Sequence, residues 1–341
     1  MTRVIIHIGT EKTGTTSIQK CLQKNRQTLA KQGIIYPHIG SRDDAHFDLV
    51  NALHPLDNNG RYMEFLPEVE HEQDFYWDAL AKCITVNQGK TIVLSAEHFS
   101  SRLREKALSY MKAFFDKLNI KPDIVIYLRP QEGYIESSYS TSVKSGSELT
   151  FAQAFASHEQ QAFRYNYHKL LGLWSSHFEQ KSIIVRVYDK ASLNGDVCAD
   201  FLSLIGVNDL NSLELAAVHE NKKWGPAMLE VARLVNSQSK GLSPYQRHKL
   251  LQKCEQLLPK AMPKAASAEG LLTQAQIAQV SDFYYESNKE VARAYLNQEQ
   301  LFFGGKSQKV QDVAVSINRQ QLVRLMMAIF NDIETDKSEQ K

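Results

Sequence analysis

The chain contains 341 residues, 43% of them hydrophobic and 23% charged, a composition typical of a soluble globular protein of one large domain or two small ones. Its formal net charge of +2 does not favour a surface that wraps nucleic acid, so an anion site would have to be local. The four cysteines are scattered and form no C-x-x-C pair, which favours free thiols in a reducing compartment over a disulfide framework or a zinc ribbon. The apolar run at residues 4–8 is too short for a signal peptide or a membrane span, and we expect a cytoplasmic protein without a membrane-spanning segment.

Four short apolar, β-branched runs predict strands buried on both faces, at residues 4–8, 91–94, 124–128 and 183–187. Helical patterns separate these runs, for example at residues 16–31 and 106–118. This alternation predicts an α/β fold in which a parallel sheet is flanked by helices. The ligand crevice of such a sheet lies at the carboxyl ends of its strands, so the residues that follow each strand are the functional candidates.

From about residue 206 the pattern becomes helical, interrupted by a predicted loop at residues 258–270, which are rich in proline, alanine and lysine. The sequence therefore predicts an α/β core at residues 1–210 and a helical C-terminal part at residues 211–333 that packs on the same domain. A charged, frayed tail follows at residues 334–341.

The first predicted strand runs into a loop and then a helix, through Gly9-Thr10-Glu11-Lys12-Thr13-Gly14-Thr15-Thr16-Ser17. Converging N–H groups and the helix dipole make such a strand–loop–helix unit an anion cradle. Gly9 and Gly14 have the spacing of the Walker motif G-x-x-x-x-G-K-[ST], but Thr15 stands where the lysine of that motif would be. Lys12 would instead approach an anion from the apex of the loop. The loop is P-loop-like, and a Walker-type NTPase is disfavoured.

The run Lys12-Thr13-Gly14-Thr15-Thr16 resembles the 5′-phosphosulfate loop of sulfotransferases that use 3′-phosphoadenosine 5′-phosphosulfate (PAPS), commonly written P-K-[ST]-G-T-T. Glu11 occupies the place of the usual proline. The resemblance implies that the donor is bound by Lys12, Thr13, Gly14, Thr15, Thr16 and Ser17. It also implies that Lys12 is catalytic, because it would stabilise charge on the transferring group.

A second anion motif follows the third predicted strand, where Arg129 stands at the carboxyl end and Pro130 suits the first turn of a helix. The planar fork of an arginine can donate two parallel charge-assisted hydrogen bonds to a terminal phosphate. In the sulfotransferase family, the 3′-phosphate site has an arginine that ends a strand and a serine eight residues later. The resemblance implies that Arg129 and Ser137 form this site.

The likeness covers most of residues 1–210 and is specific at the two donor motifs. Residues 7–19 and 33–37 resemble a bacterial branch of the sulfotransferase superfamily, as do residues 187–188, 200–202 and 205–207. This resemblance implies a carbohydrate acceptor, a polysaccharide or a cell-surface glycan.

A base for the incoming hydroxyl is expected in the same crevice, after the strand at residues 91–94. Two adjacent candidates, Glu97 and His98, follow it, and the resemblance favours the carboxylate. The imidazole stays open because its ordinary pKa suits a base near neutrality, and His46 could be brought in by a loop. Ser95 is a candidate for positioning the sulfuryl group or Lys12.

The polar stretch at residues 36–62 is predicted to be irregular and to form an acceptor wall that includes Arg42 and His46. Residues 221–225 could cover the adenosine moiety. No histidine cluster has metal-ligand spacing, so we predict no metal.

These observations predict a PAPS-dependent O-sulfotransferase that acts on a carbohydrate hydroxyl by in-line displacement with a general base. A P-loop kinase-like phosphotransferase and a non-catalytic nucleotide-binding module remain alternatives. Nucleic acid is not expected as a partner.

Overall fold

The computed structural model describes residues 2–42, 44–62, 68–189, 193, 196–214, 224–238, 241–267, 270–303 and 317–339. The chain falls into two compact units, each built from three stretches. Unit 1 contains Met1–Pro130, Gln161–His219 and Tyr284–Phe303, and unit 2 contains Gln131–Gln160, Glu220–Phe283 and Gly304–Lys341. The predicted division of the chain at residue 210 stays a prediction.

Unit 1 is organised around a parallel sheet. Its strands are β1 (Arg3–His7), β2 (Ile34–Ile35), β3 (Thr91–Ser95), β4 (Asp123–Leu128) and β5 (Ile183–Val187). Their spatial order is β2-β3-β1-β4-β5, and every neighbouring pair is parallel. The four strands predicted from the sequence are confirmed to within one residue at each end. The α/β fold with flanking helices is therefore correct, and the two-residue β2 is an addition at the edge.

The helices are named in chain order. They are α1 (Thr15–Lys24), α2 (Arg26–Lys31), α3 (Phe47–Asn51), α4 (His54–Asp57), α5 (Gln73–Val86), α6 (His98–Arg102), α7 (Glu105–Lys117), α8 (Gln131–Lys144), α9 (Phe151–Ala156), α10 (Ala162–Tyr165), α11 (Tyr167–Ser175), α12 (Val197–Leu204), α13 (Pro226–Gln238), α14 (Pro244–Ala261), α15 (Pro263–Ala266), α16 (Gln274–Val291) and α17 (Arg319–Glu339). Short 3₁₀ turns lie at His158–Gln160 and Gln180–Ser182, and a π-helical turn lies at Ala292–Leu296. The backbone of the predicted tail at residues 334–341 is thus helical as far as Glu339.

The core of unit 1 forms where one face of the sheet meets α1 and α12. Strand residues on this face are buried together with apolar residues of the two helices, among them Ile5, Val93, Val125, Ile18, Leu22, Phe201 and Leu202. Burying this apolar surface fixes α1 at the carboxyl end of β1. Unit 2 has a separate core, in which α8, α13, α14 and α17 supply the buried side chains.

Three sequence-based boundaries were wrong. The single helix predicted at residues 16–31 is two helices that meet at Asn25, whose side chain donates to the Cys21 carbonyl at 2.9 Å beside the backbone N–H of the same residue at 3.1 Å. The predicted loop at residues 258–270 is helical over most of its length. Pro259 lies in the last turn of α14, and Pro263 begins α15, as proline can at a first helical turn.

The third correction concerns the stretch at residues 36–62, which contains α3 and α4 rather than irregular chain alone. Leu49 and Leu53 are fully buried, and the indole of Trp77 donates to the Leu49 carbonyl at 3.2 Å. Contacts with α5 therefore order a segment whose polar composition suggested a loop. Among the described residues, no helix combines the length and apolarity that a membrane crossing requires.

Candidate functional site

The loop between β1 and α1 makes a tight turn at the carboxyl edge of the sheet. Gly9, Lys12 and Gly14 have φ values of 58°, 69° and 77°, in the left-handed region. A Cβ atom at Gly14 would stand 2.8 Å from a methyl carbon of Val197, and one at Gly9 would stand 3.1 Å from Cβ of Glu97. Both glycines are therefore required by positive φ and by close neighbours. The loop closes against α12 on one side and against the segment after β3 on the other.

The threonine hydroxyls of the loop hold its shape. Thr10 donates to a β4 carbonyl at 2.9 Å, while Thr13 and Thr15 donate to the Thr10 carbonyl at 2.6 and 3.3 Å. Thr13 and Thr15 are buried, whereas Thr16 is exposed and Ser17 is half-buried. The hydroxyls of Thr13 and Thr15 thus donate within the loop, and those of Thr16 and Ser17 lie nearer to solvent. The donor-binding role of all four residues stays a prediction.

The N-terminus of α1 faces this loop without a side-chain cap. Gly14 is the N-cap residue, and it has no side chain with which to accept from the first turn. The first N–H groups of an α-helix have no intrahelical acceptor, and the helix dipole adds partial positive charge. With the half-buried Lys12 two residues before the cap, the arrangement is suited to an anion.

Arg129 brings the second predicted motif to the same place. It follows β4, and its guanidinium donates from Nη1 to the Lys12 carbonyl at 3.2 Å. The Arg129 carbonyl in turn accepts from the Tyr167 hydroxyl at 2.5 Å. Ser137 lies in α8, which belongs to unit 2, so its predicted partnership with Arg129 stays a prediction.

Glu97 lies beside the loop at the N-cap position of α6 and is half-buried. Gln19 of α1 donates from Nε2 to Glu97 Oε2 at 3.1 Å and to Ser95 Oγ at 3.3 Å. Ser95 Oγ also hydrogen-bonds His7 Nδ1 at 2.8 Å. A polar chain from β1 through β3 and α1 therefore ends at the Glu97 carboxylate. Ser95 is fully buried in this chain, and its predicted role in positioning the sulfuryl group or Lys12 stays a prediction.

His98 has a different environment from its neighbour. Its ring stacks on Phe47 with centroids 4.2 Å apart, and Nε2 accepts from Arg102 Nη2 at 3.0 Å. Burial, with the nearby positive charge of Arg102, lowers the pKa of His98 to about 3. The ring is therefore a weak base, and the single basic lone pair of the neutral ring, on Nε2, already accepts the bond from Arg102.

The residues predicted for the acceptor side are engaged in structure. His46 is fully buried, accepts from the Ser95 N–H at 3.1 Å and bonds the Pro37 carbonyl at 2.9 Å through Nε2. Burial lowers the pKa of His46 to about 4. Arg42 forms an ion pair with Asp48 at 2.5 Å. These contacts favour a structural role for both residues, and their predicted contact with the acceptor stays untested.

Three residues at the site were missed by sequence reasoning. Gln19 lies one turn after Thr15, a spacing that places both on one face of α1 and could have indicated it. Arg164 of α10 forms an ion pair with Glu11, and Tyr167 begins α11. Neither of these two belongs to a recognisable motif.

Two further predictions bear on ligands. Residues 221–223 of the predicted adenosine cover lie outside the described residues. In the part of the chain that the structure describes, no group of three or more His, Cys, Asp or Glu side chains is placed to hold a metal ion.

Comparison with known proteins gives limited similarity. No family model matches the chain. It is 28% identical over 233 residues to an uncharacterized protein from Archaeoglobus fulgidus, and the match covers 67% of the chain and 59% of that relative, which is less than two thirds of the relative's length. A crystal structure of a sulfotransferase from Alicyclobacillus acidocaldarius aligns with a TM-score of 0.40 and 17% identity, over 71% of this chain and 97% of that one. A functional assignment therefore depends on the geometry of the site.

Proposed function

We propose that the protein is a sulfotransferase that transfers the sulfuryl group of PAPS to a hydroxyl acceptor. The observation that carries this proposal is the contact between the two anion motifs. Lys12 stands at the apex of a loop before the uncapped N-terminus of α1, and the Arg129 guanidinium bonds the Lys12 carbonyl. Adjacent groups of the protein could therefore bind the two anionic groups of PAPS, namely the 5′-phosphosulfate and the 3′-phosphate on the same ribose.

The loop supports sulfuryl transfer better than Walker-type phosphoryl transfer. Thr15 occupies the place of the Walker lysine, and its hydroxyl donates into the loop rather than outwards. Lys12 lies at the apex of the loop with a positive φ, and we propose that its ammonium reaches the anion from there. In this position the charge can stabilise the transferring group and the bridging oxygen that leaves it.

The reaction is an in-line displacement at sulfur, analogous to phosphoryl transfer. The acceptor oxygen forms a bond to sulfur, and the bond from sulfur to the bridging phosphate oxygen breaks. The electron pair of that bond leaves with adenosine 3′,5′-bisphosphate. The hydroxyl proton passes to the Glu97 carboxylate, which Gln19 orients through its 3.1 Å hydrogen bond.

Glu97 is proposed as the base in preference to His98. Its carbon atoms contact the backbone of the donor loop, since a Cβ on Gly9 would meet Glu97 Cβ. The imidazole of His98 is stacked on Phe47 and bonded to Arg102, and its lowered pKa makes it a poor proton acceptor. The position of Glu97 and the weak basicity of His98 therefore favour Glu97 as the base.

The remaining parts of the donor site are proposed from the sequence resemblance. Thr16 and Ser17 would contact the phosphosulfate, and Ser137 would join Arg129 on the 3′-phosphate. A carbohydrate acceptor is proposed from the same resemblance, and a cytoplasmic reaction is proposed from the scattered cysteines, which are free thiols.

Ligand-dependent melting tests the donor assignment. Adenosine 3′,5′-bisphosphate at 100 times its dissociation constant should stabilise the fold by about 2.7 kcal/mol through mass action. Arg129→Ala should remove most of this stabilisation, because charge-assisted bonds to the phosphate disappear. Arg293→Ala is the matched control, since Arg293 forms an exposed ion pair with Glu299 in the same unit.

ATP with Mg²⁺ stabilising the protein more than the bisphosphate would refute the PAPS assignment in favour of a kinase. A single turnover with labelled donor and pooled glycans then separates enzyme from binder. Bisphosphate binding without any transfer to carbohydrate, phenol or amine acceptors would support the non-catalytic module instead.

A further inference from the structure

Glu11 departs from the proline of the related loops, and the structure gives it a partner. Its carboxylate forms an ion pair with the guanidinium of Arg164, from α10. The side chains are 25% and 34% exposed, so water screens this pair only in part. Arginine also presents a rigid fork that restricts the geometry of its partner.

The next residue in the loop needs such restraint. Lys12 has a φ of 69°, and a left-handed conformation is unfavourable for a residue with a Cβ atom. Glu11, immediately before it, is held by Arg164, and the carbonyl of Lys12 is held by Arg129 at 3.2 Å. The unfavourable residue is thus fixed on both sides by guanidinium groups.

One short stretch of chain, residues 164–167, contacts both anion motifs. Arg164 reaches Glu11, and the hydroxyl of the buried Tyr167 donates to the Arg129 carbonyl at 2.5 Å. The stretch is itself anchored, because the guanidinium of Arg104, after α6, lies 4.5 Å from the centre of the Phe163 ring. Its position is therefore set by packing within unit 1 and not by the loop alone.

We propose that Arg164 is a positioning residue for the donor loop. In the related loops, the ring of a proline restricts the backbone of the residue before the lysine. In this protein, the ion pair between Arg164 and Glu11 restricts the residue at the same position. The identity of the ligand rests on the proposed function, but the restraint itself does not. Loss of the pair should let the apex move and misplace the Lys12 ammonium.

Substitution and rescue test this role. In Arg164→Met the affinity for adenosine 3′,5′-bisphosphate should fall about tenfold, because a charge-assisted contact that preorganises the site is lost. Glu11→Gln should have a similar effect, and the double variant should be no worse than either single one, since both remove the same interaction. Arg164→Lys should recover only part of the affinity.

A variant that restores the restraint without charge distinguishes the loss of a local backbone restraint from the general loss of a charged group. Glu11 is not among the residues with a positive φ, which would exclude a proline, and we expect Glu11→Pro combined with Arg164→Met to restore most of the affinity. Arg293→Met, which breaks another arginine–glutamate pair of unit 1, should change nothing. Additive losses in the double variant, or no rescue by proline, would overturn the proposal.

Hydrogen exchange in the free protein makes the test independent of the ligand. The amides of residues 10–14 should exchange about tenfold faster in Arg164→Met and return towards the original rate with proline at position 11. Absence of bisphosphate binding in the unaltered protein, with this pattern of exchange, would reject the proposed donor and retain the restraint. Unchanged exchange together with a changed KM for the acceptor would show that Arg164 binds acceptor instead.

Discussion

Buried histidines of unit 1 predict that the folded state loses stability as the pH falls below about 6.5. Burial lowers the pKa of His7 to about 3, of His46 to about 4 and of His98 to about 3, from an ordinary value of 6.5. Burial lowers the pKa of His54 as well, which acts in the same direction. These rings lie around the end of β3, so the effect reports on the support of the site.

The magnitude follows from proton binding in the two states. Below pH 6.5 the histidines of the unfolded chain bind protons, whereas the buried rings of the folded protein stay neutral. The free energy of unfolding therefore has its full value above this pH and declines as the pH falls. At pH 5.5 each fully shifted histidine costs about 1.4 kcal/mol, so the three together cost about 4 kcal/mol relative to pH 7.5. The decline levels off below the folded-state pKa values, where both states are protonated.

Urea denaturation at pH 7.5, 6.5 and 5.5 measures this loss. In a Trp224→Phe background, fluorescence reports on Trp77 and Trp174, both fully buried in unit 1. His98→Gln should reduce the loss between pH 7.5 and 5.5 by about one third, since one of the three main rings is removed. His168→Gln, at an exposed position, should leave it unchanged.

A loss of less than about 1 kcal/mol over this range would mean that the rings are protonated in the folded state. The argument that His98 is a weak base would then be wrong as well. The same conclusion follows if His98→Gln leaves the pH dependence intact while His168→Gln reduces it.

Three further predictions concern turnover. Lys12→Ala should slow transfer by about 10²–10³-fold while weakening bisphosphate binding much less, and equal losses in both would make Lys12 a binding group only. Glu97→Gln should lower the single-turnover rate by about 10²–10⁴-fold, whereas His98→Gln at a matched melting margin should cost less than about tenfold; the reverse order would make the histidine the base. Gln19→Leu should lower the rate about tenfold through misorientation of Glu97, with bisphosphate affinity unchanged in calorimetry, and a loss of affinity instead would indicate damage to the donor loop.

β1, β3 and β4 could be predicted because each has a run of buried apolar residues in its interior. β5 could be predicted from its β-branched residues, but only Ile183 and Val185 are buried and Arg186 interrupts the run, so the expected burial on both faces was wrong for this edge strand. β2 was missed because two residues carry no pattern that separates a strand from a turn. The break at Asn25 was missed for another reason. Its side chain is held by both the Cys21 carbonyl and the backbone of Glu214, a partner 189 residues away. Such a contact leaves no trace in local periodicity.

The site shows the same limit. The contact between Lys12 and Arg129 could be expected, since both residues follow parallel strands whose carboxyl ends lie at the same edge of the sheet. The choice between Glu97 and His98 could not, because strand alternation ends at Ser95, before either residue. What distinguishes them is a stacked ring and an arginine on the neighbouring helix turn.

The role of Glu11 depends on a partner that is distant in the sequence. From the sequence, a carboxylate in an anion-binding loop is an unfavourable departure, because it repels the ligand that the loop is expected to hold. Arg164, 153 residues later, reverses that conclusion. Its ion pair with Glu11 is neutral overall and restrains the apex of the loop at Lys12. A substitution that removes Arg164 alone therefore leaves two defects, a mobile apex and an uncompensated negative charge. Removing Glu11 alone leaves one defect and an extra positive charge near the donor. The bisphosphate affinities of the two single variants should consequently depend differently on salt concentration, even where the affinities agree at one concentration. That difference distinguishes the effect of Arg164 on the charge of Glu11 from its effect on the mobility of the loop.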